Sequence, residues 1–235
     1  MHREGFEPPT TWFEASYSIR LSYRCKVFEK MLPENTPKVN CSFQEERIQS
    51  LLMLIHTQAI VLRTIRYSDT QEIHTLFTEE LGLISMLTKI GKKERTPPLF
   101  EGAFTLRKGK SFFQLVDAKQ TICHGPIRDT LASIQSAFKL FHYILKSQMQ
   151  LKAAPALYHL FSAFLRQIPL VKNPLALQSV FLAKLLFHEG HLDDTHPLLP
   201  LLATLKSFKE LDLLPVTPAH LDAIEEIFTL VYDHA

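Results

Sequence analysis

The chain has 235 residues, of which 46% are hydrophobic and 21% are charged, and its formal net charge is +2. This composition is typical of a globular protein and excludes a low-complexity chain. Three scattered cysteines without a Cys-x-x-Cys pair argue against a disulfide framework and a cysteine zinc site. No apolar run approaches the roughly 18 residues of a membrane span, so we expect no membrane partner.

The first 52 residues differ from the rest of the chain. They show no sustained hydrophobic period and contain four prolines. Residues 5–25 resemble the translated leader of a mis-assigned protein start, and Met53 stands before an apolar run. We expect residues 1–52 to be a poorly structured leader outside the native protein. A genuine, family-specific extension is the alternative.

The next part of the chain, residues 53–127, consists of short β-branched and apolar runs. These runs are 57–67, 72–78, 83–90 and two within 99–122. Gly82 indicates a tight turn, because glycine supplies the positive φ that such a reversal needs. Lys108-Gly109 is favourable for a hairpin. Five short strands in about 70 residues predict a small β-barrel.

The hydrophobic period becomes helical after Pro126. Apolar residues recur at spacings of three and four through residues 128–235. Asn173-Pro174 and Thr217-Pro218 are helix start signals, since each places a capping side chain before a proline at the first helical position. The wide apolar stripes need partners, so we expect a helical bundle. The predicted fold class is α+β, with a small barrel followed by an all-α domain.

Positive charge is concentrated in the predicted barrel. Residues 86–110 hold seven lysines and arginines against two glutamates, a net charge of +5. Such a patch is typical of a polyanion-binding surface, and an unliganded solvated surface is the alternative. The candidate DNA-binding residues are Arg63, Arg66, Lys89, Lys92, Lys93, Arg95, Arg107, Lys108 and Lys110.

Aromatic side chains on the barrel are candidates for stacking on bases. Each base–aromatic contact contributes roughly 1–3 kcal/mol. The candidates are Tyr67, Phe104 and Phe112. Phe113 also lies in this region, but neighbouring strand residues point to opposite faces, so only one of Phe112 and Phe113 can face a ligand. Core packing is the competing interpretation for each ring.

No catalytic constellation is evident, and we expect a protein that is not an enzyme and needs no cofactor. The motifs GxxxxGK[ST], GxGxxG and GxSxG are absent. The densest group of potential ligands is His188, Glu189, His191, Asp193, Asp194 and His196. His188 and His191 are three positions apart in the sequence, and Gly190 lies between them. The two zinc-binding histidines of a zincin helix are four positions apart. We therefore expect a solvated loop and no metal site.

Residues 57–95 resemble the N-terminal domain of the bacterial DNA repair and recombination-mediator family RecO. The family pattern is a T-x-A-I-V-L strand, a Y-x-[ED]-x-x-x-I segment, T-L-F-T, a glycine turn and a basic loop. All five parts occur here in that order. The likeness extends less clearly to about His191 and leaves residues 1–52 outside.

The resemblance implies an OB-fold, a helical domain and a role in the RecF pathway of DNA repair and homologous recombination. It implies binding of single- and double-stranded DNA, annealing of complementary strands and help in loading the recombinase RecA onto protein-coated single strands. The implied partners are RecR and the C-terminal tail of single-strand binding protein, and the implied location is the cytoplasm, at the nucleoid.

The chain departs from the family pattern in one feature. Many family members carry a four-cysteine zinc motif after the helix that ends here near Gly190, whereas this chain has no cysteine beyond Cys123, so zinc is not carried over.

The large number of apolar residues in the helices predicts a peptide-docking groove. The candidate basic residues beside this groove are Lys139, Lys146, Arg166 and Lys184. The alternative functions are a helical interaction scaffold and a metal-dependent hydrolase using residues 188–196.

Overall fold

The computed structural model describes residues 54–91, 96–191, 202, 205 and 207–233. Contacts divide the chain into two units, Met1–Leu52 and Met53–Ala235, and the fold described below is that of the second. The predicted leader therefore lies outside the described residues. So do Lys92, Lys93 and Arg95 of the basic loop, and Asp193, Asp194 and His196 of the histidine-rich segment.

Five strands form a closed barrel in the order β1-β2-β3-β5-β4. All neighbours are antiparallel except β3 and β5, which pair in parallel. This order and closure are those of an OB-fold, so the predicted barrel is confirmed. The strands are β1 (Leu54–Ser68), β2 (Gln71–Thr78), β3 (Gly82–Lys89), β4 (Phe100–Lys108) and β5 (Phe113–Cys123).

The long strand β1 closes the barrel by pairing with two neighbours. Its first half is paired with β4, and its second half is paired with β2. The register shifts between Val61 and Arg63, which is a β-bulge. Because a bulge bends its strand and increases the local twist, it allows one strand to belong to both sides of a small barrel.

The β2–β3 turn depends on Gly82, as predicted. Its φ of +69° lies in the left-handed region, where side chains with a Cβ are strained. A Cβ at this position would also lie 1.9 Å from the carbonyl oxygen of Lys152. The Thr78 hydroxyl completes the turn, since it donates to the Gly82 carbonyl at 2.9 Å and accepts from Leu81 N at 3.0 Å.

In the part of the chain that the structure describes, four α-helices follow the barrel. Asn173 caps α3 by accepting from Ala176 N at 3.2 Å, with Pro174 at the first helical position, as predicted. The Thr217-Pro218 start of α4 is also confirmed, and a capping box joins Thr217 to His220. The helices are α1 (Leu131–Ser147), α2 (Pro155–Gln167), α3 (Pro174–His188) and α4 (Pro218–Tyr232). Short 3₁₀ helices span Gly125–Asp129 and Phe208–Leu213.

The helices pack against the outer face of the barrel, and one hydrophobic core crosses the junction. Ile60, Leu62 and Phe77 point out of the barrel and belong to the core of the helices. The Phe77 ring lies 6.0 Å from those of both Tyr158 and Phe161 on α2. The barrel interior is a second cluster, which contains Val61, Met86, Phe104 and Leu106 among others. The two faces of the barrel therefore both bury apolar side chains.

A buried carboxylate joins the barrel to α2. Glu101 on β4 is 2% exposed, and its Oε2 lies 2.6 Å from His124 Nε2. Its Oε1 accepts from Ser162 Oγ at 2.6 Å and from the Tyr158 hydroxyl at 3.5 Å. Burial raises the pKa of Tyr158 far above its usual range, and the nearby Glu101 charge acts in the same direction. Three separate parts of the chain thus meet at one side chain, here named the Glu101 hub (Glu101, His124, Tyr158 and Ser162).

Candidate nucleic-acid interface

Two loops meet at one end of the barrel and define the candidate site. The β1–β2 connection consists of Asp69 and Thr70, and the β4–β5 hairpin spans residues 109–112. The rings of Tyr67 and Phe112 contact each other across this end, with centroids 6.4 Å apart. Tyr67 is 61% exposed, so its ring is available to a ligand. We call this the loop end of the barrel.

Six of the nine predicted DNA-binding residues are described, and all six side chains are exposed. Lys89 ends β3, Lys108 ends β4, and Lys110 lies in the hairpin, so three cations come from elements that meet at the loop end. Arg66 forms an ion pair with Asp69 at 3.3 Å, which partly neutralises it. The remaining two are Arg63 and Arg107. Lys89 and Lys110, which are 21 positions apart in the sequence, therefore lie at the same end of the barrel.

The predictions for the three aromatic residues have different outcomes. Tyr67 is exposed and Phe112 is half-buried, as stacking requires. Phe104 is only 1% exposed and packs edge-on against Phe100 inside the barrel, with centroids 5.5 Å apart. A base cannot reach it, so the stacking role predicted for Phe104 is wrong. Phe113 is likewise buried in the barrel interior, opposite in direction to Phe112.

The outer surface of the barrel carries an apolar feature that sequence reasoning missed. Ile65 is paired with Ile73, and Ile73 with Leu87, so these side chains lie side by side across β1, β2 and β3. Ile65 is 42% exposed, and the other two are half-buried. We call them the aliphatic row. Leu87 is in turn paired with Gln114 on β5, and Gln114 is paired with Arg107 on β4.

A buried histidine lies beneath the aliphatic row. His74 is 3% exposed, and its Nδ1 and Nε2 lie 2.9 Å from Thr64 Oγ1 and 2.7 Å from Thr88 Oγ1. Burial lowers the pKa of His74, and the nearby Glu72 carboxylate opposes this shift. The two threonines fix the ring across β1, β2 and β3, and so tie together the three strands that carry the row.

Two grooves among the described residues of the helical part are relevant to peptide docking. The larger has a volume of about 870 Å³ and lies between α1 and α4 over the start of α3. Lys139 and Glu225 cross it with an ion pair at 2.8 Å, and Tyr143 also donates to Glu225. The smaller, of about 190 Å³, is lined by Phe164, Lys184 and Phe208 among others. Burial lowers the pKa of Lys184, as expected for an ammonium beside apolar walls.

The histidine-rich segment is described only in part. His188 Nδ1 lies 3.1 Å from Glu189 Oε1, and the His191 ring packs edge-on against Tyr232. Within residues 54–91, 96–191 and 207–233, no group of three or more His, Cys, Asp or Glu side chains could hold a metal ion. In the same part of the chain, no helix is long and apolar enough to cross a membrane.

Comparison with known proteins agrees with the fold. The sequence profile of the family described as Recombination protein O N terminal matches residues 53–121. A DNA repair protein RecO from Chlamydia pneumoniae is 32% identical over 150 residues, which is 61% of this chain and 59% of that protein. The RecO of Chlamydia trachomatis serovar D is 33% identical over 140 residues, 57% of this chain and 58% of that protein. That of Bacillus pumilus is 28% identical over 122 residues, 49% and 48% of the two chains.

These matches cover less than two thirds of each relative. The matched segment begins at residue 53 and covers the five strands of the barrel except the last two residues of β5. The profile match and the similarity to several proteins of the same name point to one family. Residues 53–121 are therefore similar to the N-terminal domain of the recombination protein O family.

Proposed function

We propose that this chain acts in DNA repair and homologous recombination by binding DNA at the loop end of the barrel. The observation that carries the proposal is the gathering of Lys89, Lys108 and Lys110 with the exposed Tyr67 ring at that end. Cations position a phosphate backbone, and an exposed ring accepts an unpaired base. The names of the similar proteins support the same role.

The finer activity follows from the family resemblance. The chain binds single- and double-stranded DNA, anneals complementary strands and assists the loading of recombinase, without catalysing a reaction itself. It works with RecR and with single-strand binding protein, in the cytoplasm and at the nucleoid. The hydrolase alternative needs a metal held by residues 188–196, where the described His188 contacts Glu189 and the His191 ring packs against Tyr232.

Salt-dependent binding tests the proposal. Affinity for a fluorescent single-stranded oligonucleotide is measured at several salt concentrations for the parent chain and for the triple variant Lys89→Ala, Lys108→Ala, Lys110→Ala. Each lost phosphate contact flattens the dependence of log affinity on log salt by roughly 0.7, so we expect a change of about two units.

A matched control separates specific contacts from total charge. Lys119, Lys152 and Lys172 are exposed lysines outside the loop end, and their triple alanine variant removes the same charge. This control should keep the parent slope. Equal weakening of both variants would mean that binding reflects net charge alone, and no binding by the parent chain would refute the proposed function.

The helical part supports a second element of the proposal, which is docking of an acidic, aromatic-ended peptide from single-strand binding protein. Glu225 lines the larger groove and would repel such a peptide from it. Among the described residues that line the smaller groove there is no carboxylate. The smaller groove combines apolar walls with Lys184, so it fits the peptide better. Lys184 is therefore the first choice among the four predicted basic residues.

Peptide titration tests this assignment. An acidic peptide ending in phenylalanine should bind the parent chain, and Lys184→Ala should weaken binding by roughly tenfold, as for the loss of one charge-assisted hydrogen bond. Lys139→Ala is the matched control and should change the affinity little. The reverse ranking would assign the peptide to the larger groove.

A further inference from the structure

The second half of β5 has a free edge. On one side of the strand, β4 is paired with it along its full length. On the other side, β3 is paired with it only at Phe113 and Gln114, and β3 ends at Lys89, so β5 continues beyond the end of β3. Within the part of the chain that the structure describes, no backbone group is hydrogen-bonded to residues 117–123 from that side. A free edge of this kind can pair with another strand, because its backbone N–H and C=O groups have no partner there.

The part of this edge at residues 117–120 is regular. These residues are paired with β4 without interruption, and the register shifts on either side of them. Ala118 packs on the barrel interior, so Asp117 and Lys119 point to the outer face. A Cβ at Gly102 would lie 2.2 Å from the Lys119 carbonyl oxygen, which shows how closely β4 packs against this segment. A further strand can therefore join β5 only from the free edge.

Two opposite charges on this segment lack a partner within the fold. Asp117 and Lys119 are both exposed, and among the described residues neither makes an ion pair or a side-chain hydrogen bond. Their cross-strand neighbours on β4 are Thr105 and Ala103, which carry no charge. Both charges are thus available to a strand at the free edge, where side chains directly opposite each other have Cβ atoms about 4.5–5.5 Å apart.

The order of these charges is self-complementary. A two-fold axis through Ala118, perpendicular to the sheet, pairs two copies of β5 in antiparallel orientation. Asp117 of each copy then lies opposite Lys119 of the other copy. The nearest pairings that keep the same faces together are shifted by two residues, and they place Asp117 opposite Asp117 or Lys119 opposite Lys119. Opposite charges across two strands stabilise the pair and like charges destabilise it, so the charges select the register centred on Ala118.

We propose that the free edge of β5 binds a second copy of this chain by antiparallel β5–β5 pairing about Ala118. The inference does not depend on the proposed DNA binding. Lysines alone would protect an edge strand by repelling a second copy, whereas Asp117 beside Lys119 makes the edge attractive to one. The contact is limited to residues 116–120 of each copy, far fewer than the roughly 20–30 residues a side of a stable interface, so the association is weak and depends on concentration.

Sedimentation velocity of the full chain over a range of concentrations, without DNA, tests the proposal. The parent chain should self-associate as its concentration rises. Asp117→Lys and Lys119→Asp each place like charges opposite each other, so each should weaken the association by at least about tenfold. The double variant Asp117→Lys, Lys119→Asp restores opposite charges in reversed order and should associate like the parent chain.

An equimolar mixture of the two single variants gives a second measurement. Each variant alone repels its own copies, but in the mixture the two positive positions of one chain lie opposite the two negative positions of the other. The mixture should therefore associate more strongly than either variant alone. Lys172→Asp is the matched control, since Lys172 is exposed and lies outside β5, and it should keep the parent association. Thermal unfolding of each variant verifies that it is folded.

The outcomes are distinct. A parent chain that stays monomeric at every concentration overturns the inference and would leave the edge to a strand of another protein. Association that survives in both folded single variants also overturns it, because the contact would then lie elsewhere. Failure of the folded double variant to recover association would show that the pairing of Asp117 with Lys119 is not what holds the copies together. None of these results bears on the proposed DNA binding, which is measured separately.

Discussion

Replacement of Glu101 by alanine should destabilise the protein more than any substitution on the barrel surface. The carboxylate is 2% exposed and has three polar partners, of which His124 and Ser162 both lie at 2.6 Å. Truncation leaves these buried groups without their acceptor. Removing one partner of a buried, hydrogen-bonded pair costs about 3–5 kcal/mol, so we expect a loss of that size in the free energy of unfolding.

A more conservative change separates charge from shape. Glu101→Gln fills the same space and keeps one oxygen as an acceptor for Ser162, while its amide nitrogen bonds to His124 Nε2 only in the tautomer that leaves Nε2 unprotonated. We expect a cost of about 1–2 kcal/mol. The exposed Glu226 on α4 is a matched control, and Glu226→Ala should change stability by less than about 0.5 kcal/mol.

Urea unfolding of the full chain measures these differences, and a double-mutant cycle with Ser162→Ala measures the coupling inside the hub. Residues in contact within one hydrogen-bond network show coupling of about 0.5–3 kcal/mol. If Glu101→Ala costs less than about 1 kcal/mol, or if its effect adds to that of Ser162→Ala without coupling, the hub does not hold the barrel and the helices together as argued.

Four further predictions concern the rest of the chain. The triple variant Lys92→Ala, Lys93→Ala, Arg95→Ala should bind DNA more weakly and flatten the salt slope by about two units if all three residues contact phosphate; an unchanged slope in anisotropy titrations would contradict this. Because burial lowers the pKa of His74, the unfolded chain binds the extra proton more readily, so stability should fall as the pH drops below about 6.5. Thermal unfolding at pH 5 and pH 7.5 should show a smaller difference in His74→Gln than in the parent chain. A chain that starts at Met53 should fold and bind DNA like the full chain, and a melting temperature many degrees lower would show that residues 1–52 contribute to the fold. Elemental analysis of protein purified without chelator should give well under one equivalent of zinc, whereas stoichiometric zinc lost in His191→Ala would support a metal site.

Local sequence signals were sufficient to predict the turns of the barrel and the starts of two helices. Gly82 predicted its turn because only glycine adopts that φ without strain, and Lys108-Gly109 predicted the hairpin. Asn173-Pro174 and Thr217-Pro218 predicted the starts of α3 and α4 because capping involves only neighbouring residues. The concentration of basic residues between 86 and 110 likewise indicated the charged surface before its shape was known.

The failure at Phe104 has a different origin. A period of two shows which strand residues share a face, but it does not show which face is inside. In this barrel both faces bury apolar side chains, since the outer face packs on the helices and the inner face fills the barrel. The β4–β5 pairing also has register shifts between Glu101 and Gly102 and between Thr105 and Leu106. Each shift interrupts the alternation of inward and outward side chains, so the alternation does not show which residues are inside.

The sequence alone therefore determined the order of strands and helices, the turns and caps between them, and the family to which the barrel is similar, because these depend on residues close together in the chain. Only the tertiary structure decided that Ile65, Ile73 and Leu87 form the aliphatic row. It also decided that Glu101, His124 and Ser162 meet in the Glu101 hub. Strand register and the packing of α2 on β4 bring residues up to 61 positions apart into contact. Such contacts depend on how separate elements fit together, which no local pattern encodes.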